Sequence, residues 1–71
     1  MKLTVNGRPS EQKPDLSIID LLNVKNIESP DMVSVELNDR IIKRTEFETT
    51  FLKENDQVEF LFFMGGGSSV S

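Results

Sequence analysis

The chain has no cysteine, histidine, tryptophan, tyrosine or alanine. Without cysteine there is no disulfide, no thiolate metal site and no cysteine nucleophile. Without histidine the commonest general base and transition-metal ligand is missing. No glycine-rich loop sits inside a strand–helix–strand unit, which excludes hydride chemistry on a dinucleotide. The longest apolar run, Phe60 to Met64, is far too short to span a bilayer, and the first residues form no apolar signal region. The expected location is the cytoplasm, with no membrane partner. Basic charge is also scarce: 12 acids against 8 bases give a formal charge of −4. That balance argues against nucleic acid and anionic membranes, and for a basic protein partner.

Seventy-one residues make one small domain. Such a chain buries only about 60% of the surface its unfolded form exposes, so its stability is modest. Residues Met1 to Asn6 alternate, with Leu3 and Val5 on one side, as a half-buried strand does. Asn6-Gly7 is a strong hairpin signal, and Arg8 to Lys13, polar and holding Pro9, reads as an edge strand. Ser17 begins a helix: it is a capping residue with Asp20 three positions on, and Leu16 and Leu21 have the spacing of a hydrophobic staple. The stripe Ile18, Leu21, Leu22 is its buried face, and Asn26 is a left-handed cap at its end.

Met32 to Asn38 alternates again, Asn38-Asp39 is a turn, and Arg40 to Arg44 is a short strand. Thr45 to Thr50 reads as a helical turn anchored by Phe47 or Phe51. Asn55 suits positive φ in the turn before the last strand, Gln57 to Phe63. Val58, Phe60 and Phe62 share one face of that strand, assigned to the core; Glu59, Leu61 and Phe63 share the other.

One helix among five strands is an α+β layer architecture. Neither the first nor the last strand holds a proline, and the last is the most apolar, so the two belong side by side inside the sheet. The predicted fold is a ubiquitin-like β-grasp, a mixed sheet of four to five strands wrapping one helix. It occupies residues 1–64, with a flexible glycine- and serine-rich tail over 65–71. The acids are scattered with no metal-loop spacing and read as a solvated surface, as do the bases, whose single cluster is at 40–44. No cofactor or metal site is expected.

The hairpin, the helix at Ser17, Val35-Glu36-Leu37-Asn38, Glu54-Asn55-Asp56-Gln57 and the ending Phe62-Phe63-Met64-Gly65-Gly66-Gly67 resemble a ThiS/MoaD-type sulfur carrier. The resemblance covers residues 1 to 67 and is closer to the ThiS branch. It implies a protein that is not an enzyme and has no catalytic side chain. An E1-like, ATP-dependent activating enzyme adenylates the terminal glycine carboxylate, and sulfur from a donor converts it to a thiocarboxylate. An acceptor synthase then takes the sulfur for biosynthesis of thiamine or a sulfur amino acid. By this likeness Gly67 forms the thiocarboxylate, Gly65 and Gly66 make the flexible arm, and Met64 borders it. From Met64 to Gly67 an extended chain reaches roughly 13 Å, enough to enter an active site while the globule docks outside.

Leu61 and Phe63, facing away from the helix, form with Met64 a partner surface beside the arm, unless a loop around Phe47 or Phe51 covers them. The sequence also continues past the glycines as Ser68-Ser69-Val70-Ser71, so Gly67 as written has no free carboxylate. Family precursors of this kind, including carriers for sulfur amino-acid synthesis, are trimmed, which implies a metalloprotease-type partner. The residues alone admit a second reading, a β-grasp interaction module with a linker-like tail, since three glycines before serines also make a linker. Ubiquitin-like conjugation to proteins, which shares the adenylation step, is a third.

Overall fold

The computed structural model describes residues 1–27 and 30–62. Five strands form one sheet: β1 Lys2–Val5, β2 Arg8–Glu11, β3 Val33–Leu37, β4 Arg40–Ile42 and β5 Gln57–Phe62. Their order is β2-β1-β5-β3-β4, with β1 and β5 parallel and every other neighbouring pair antiparallel. One helix, α1 Ile18–Val24, crosses a single face of the sheet. This is the expected β-grasp, with first and last strands adjacent. The elements are somewhat shorter than expected: β2 stops at Glu11, β4 at Ile42, and Met32 belongs to a 3₁₀ turn, Pro30–Met32.

The local chemistry explains each turn. Asn6 and Gly7 both have positive φ, +52° and +79°, the combination that matches hairpin twist between β1 and β2. Asn38 and Asp39, at +51° and +69°, repeat it between β3 and β4. The helix start is a complete capping box. Asp20 N–H donates to Ser17 Oγ at 3.2 Å, and Ser17 N–H donates to Asp20 Oδ2 at 3.1 Å. The two remaining first-turn donors leave the helix: Ile18 N–H bonds Thr50 O and Ile19 N–H bonds Phe47 O, each at 3.0 Å. The segment between β4 and β5 is thereby fixed against the helix, and Phe47 and Leu52 are buried there.

The core is one cluster. Leu3, Val5, Val33, Val35, Val58 and Phe60 from the sheet meet Leu16, Ile18, Leu21 and Leu22 from the helix region, closed by Phe47 and Leu52. Of the two candidate anchors, Phe47 is buried and Phe51 exposed. One assignment is corrected: Phe62, expected in the core, is 53% exposed. It keeps the phase of Val58 and Phe60, but it borders an open groove beside Lys25 and Ile27, the residues just after the seven-residue α1, and no residue of α1 lines that groove.

Asn6 does more than turn the chain. Its N–H donates to Val58 O at 2.9 Å, and its Oδ1 accepts from Phe60 N–H at 2.8 Å, extending the β1–β5 ladder past the last residue of β1. Replacing Asn6 by glycine keeps the backbone conformation and loses that bond, at a cost of about 1 kcal/mol. Replacing it by alanine adds about 1 kcal/mol more for the left-handed backbone. Amide exchange at Phe60 should accelerate in both. Slow exchange at Phe60 in the glycine variant would contradict the role of the side chain.

Phe60, 7% exposed, and Phe62 should differ sharply. Phe60→Ala should cost about 3–5 kcal/mol, most of what a domain this small has, and Phe62→Ala under about 1 kcal/mol. Urea unfolding followed by circular dichroism measures both, since the chain lacks tryptophan and tyrosine. Equal midpoints for the two variants would refute the burial difference.

Candidate functional site

The face of the sheet opposite α1 is open among the described residues. The pleat sends Lys2 and Thr4 of β1, Gln57, Glu59 and Leu61 of β5, Ser34 and Glu36 of β3, and Ile41 of β4 to that face. Leu61 lies opposite Ser34 and is 46% exposed. Among the described residues no loop covers it: Phe47 turns into the core on the other side. Ile41 is a further apolar side chain exposed on this face, two strands away, with acidic Glu36 on the strand between.

The end of β5 is apolar on both of its faces. Leu61 projects outward, and Phe62 projects to the helix side beyond the helix. Phe62 pairs with Val33, and the residue before Val33, Met32, is also exposed. Apolar side chains thus cluster at the end of the described strand. An exposed apolar tip of this kind is costly to leave in water and is gained back on docking. Sequence alternation located Leu61 and placed Phe62 on the wrong side of the solvent boundary. The signal available was the short helix, only seven residues against a six-residue strand that rises more than twice as far per residue.

Of the site residues expected from the sequence, Leu61 is the one the structure describes. Phe63, Met64, Gly65, Gly66 and Gly67 lie outside the described residues. What the fold establishes is the position from which they depart: β5 is central in the sheet, pairs with β1 and β3, and is anchored at both ends. At its start Gln57 N–H donates to Asn38 Oδ1 at 2.9 Å, and Asn38 Nδ2 donates to Asp56 Oδ1 at 3.0 Å. Near its end Asn6 holds Phe60, as above.

Among the described residues no group of His, Cys, Asp or Glu is arranged to hold a metal ion. In the basic cluster, Arg44 is ion-paired with Asp31, both side chains exposed, which is a surface contact of small energetic weight. Among the described residues no helix is long and apolar enough to cross a membrane.

Comparison with known proteins agrees with this geometry. The sequence pattern of the ThiS family matches residues 3–67. A crystal structure of the thiamine biosynthesis protein ThiS of Geobacter metallireducens superposes with a TM-score of 0.83 at 43% identity, covering 94% of this chain and 100% of that one. By sequence the chain is 34% identical over 67 residues to an uncharacterized protein, ycf40, of Pyropia yezoensis, covering 94% of this chain and 93% of that one. It is also 33% identical to part of a thiazole synthase of Magnetococcus marinus, where the matching segment is 20% of that protein's length. With the β-grasp sheet, the open apolar tip at Leu61 and Phe62, and a family match that runs through the glycines to Gly67, the chain belongs to the ThiS family of sulfur carriers.

Proposed function

We propose that this carrier works through the carboxyl group of Gly67 and contributes no catalytic side chain. The residues after Gly67 are removed by a protease, exposing a carboxylate. An E1-like enzyme brings that carboxylate to ATP; a carboxylate oxygen attacks the α-phosphorus and pyrophosphate leaves. A hydrosulfide equivalent from a sulfur donor then attacks the acyl-adenylate carbonyl, AMP leaves, and a thiocarboxylate remains. An acceptor synthase takes the sulfur. The relatives favour a thiazole-forming acceptor over sulfur amino-acid synthesis. One is a thiamine biosynthesis protein, and another holds a segment like this chain within a thiazole synthase.

The observation that carries this reading is the place where β5 ends. A central strand reaches an exposed apolar tip at Leu61 and Phe62, and Phe63-Met64-Gly65-Gly66-Gly67 follows in the sequence. The tip suits a surface that docks outside an active site, and glycines suit a narrow channel because they carry no side chain. An interaction module with a covered sheet face would not leave Leu61 half exposed.

ATP–pyrophosphate exchange, with the activating enzyme of the same cell, tests this on three chains. The chain ending at Gly67 should exchange. The chain ending at Ser71 should be inert, because the Gly67 carbonyl is then an amide and a far poorer nucleophile. The chain ending at Gly66 should be poor, since its arm is one residue, roughly 3.5 Å, too short to place the carboxylate. Exchange by the Ser71 chain as fast as by the Gly67 chain would sink the trimming step. No exchange by any of them would favour the linker reading.

In the chain ending at Gly67, Leu61→Ser should weaken exchange about tenfold through KM, with an unchanged unfolding midpoint, because half-exposed apolar anchors contribute to docking more than to folding. Unaltered kinetics would remove Leu61 from the docking surface.

A further inference from the structure

On the helix side of the sheet, β2, the residues after α1 and the end of β5 enclose a groove of about 400 Å³. Its apolar lining includes Phe60, Phe62 and Ile27. Its charged lining residues are Arg8 and Lys25, both cationic. In a chain with 12 acids and 8 bases, two cations with no acid among the described lining residues is a local reversal of sign. Neither cation has an ion-pair partner among the described residues. Lys25 Nζ donates to Ser10 Oγ at 3.2 Å, which ties the end of α1 to β2 and fixes one wall. Lys25 and Arg8 are both exposed residues.

We propose that this groove is a docking site for a segment of a partner polypeptide that carries a large apolar side chain next to a carboxylate. The apolar side chain covers Phe62 and Ile27, which the short helix leaves uncovered, and the carboxylate meets Arg8 and Lys25. Charge complementarity selects an acidic segment and disfavours a basic one. The binding mode is side-chain docking, not strand addition. Thr4 N–H points to β5, donating to Asp56 O at 2.9 Å, so the backbone of Pro9, opposite Thr4, faces the free edge of β2. Proline has no N–H to offer there. Phe62 lies both on the groove and at the end of β5, so a partner that takes the arm meets the groove as well. Only the identity of that partner rests on the carrier reading; the groove's preference does not.

A random-heptapeptide phage library selected against the full chain provides the probe, and the enriched peptides are then titrated into ¹⁵N-labelled chain. The expected peptides pair Phe, Leu or Ile with an adjacent Asp or Glu. Their amide shifts should cluster at Arg8, Ser10, Lys25, Ile27 and Phe62. Affinity should fall about tenfold in Lys25→Glu and in high salt, and be largely kept in Lys25→Arg. The double variant Arg8→Glu, Lys25→Glu should select basic peptides instead, with the remaining amide shifts unchanged to show that it is folded. Peptides without an acidic preference, or a footprint on the Leu61 face, would overturn the proposal. So would a groove whose shifts in the free chain change on removal of residues 63–71, since the chain would then fill it itself. Peptide binding with no pyrophosphate exchange would leave the groove standing and count against the carrier reading alone.

Discussion

β5 is the element on which the others depend. It pairs with β1 on one side and β3 on the other, and through them joins the first hairpin to the second. Two asparagines hold it. Asn38 accepts from Gln57 N–H at its start, and Asn6 accepts from Phe60 N–H near its end. Each asparagine also sits at positive φ in the turn that closes a hairpin. One residue type therefore does two things at each place: it tolerates the left-handed backbone, and its amide oxygen completes the hydrogen bonding of the central strand. The parallel β1–β5 pairing, which joins the two ends of the chain, rests on that double use.

A fixed central strand has a functional meaning when its continuation must be delivered to another protein's active site. The core, built from Leu3, Val35 and Val58 against Ile18, Leu21 and Leu22, is fully buried and sets the direction of β5. The helix is short enough that the core ends before the strand does. The same shortness that leaves Phe62 in water opens the groove bounded by Arg8 and Lys25. The molecule thus carries two apolar surfaces at one end, Leu61 on the open sheet face and Phe62 on the helix side. They are separated by the thickness of a single strand and differ in the charge around them. Glu59 and Glu36 lie near Leu61; the two cations lie near Phe62.

Much of the fold was legible because local signals agreed with one another. Asn6-Gly7, Ser17 with Asp20, Asn26 and Asn55 each announced a backbone conformation that the structure adopts. The alternation in β1, β3 and β5 gave the buried faces, and the apolar character of β5 placed it inside the sheet. Leu52 was not legible. It is a single leucine in an irregular segment, and it is buried because backbone bonds from Ile18 and Ile19 to Thr50 and Phe47 draw that segment onto the helix start. No periodicity announces a contact made by main-chain atoms far apart in sequence.

The sequence by itself determined the class of the fold, the family and the presence of glycines at the end of an apolar strand, because these depend on residue type and spacing within short windows. Only the tertiary structure decided which apolar residues meet water. Phe60 and Phe62 have the same side chain, the same strand and the same phase, yet one is buried and the other half exposed. The difference lies in where a seven-residue helix stops over a six-residue strand. Burial is a property of what lies opposite, and strand periodicity records a residue's face without recording how far the cover extends.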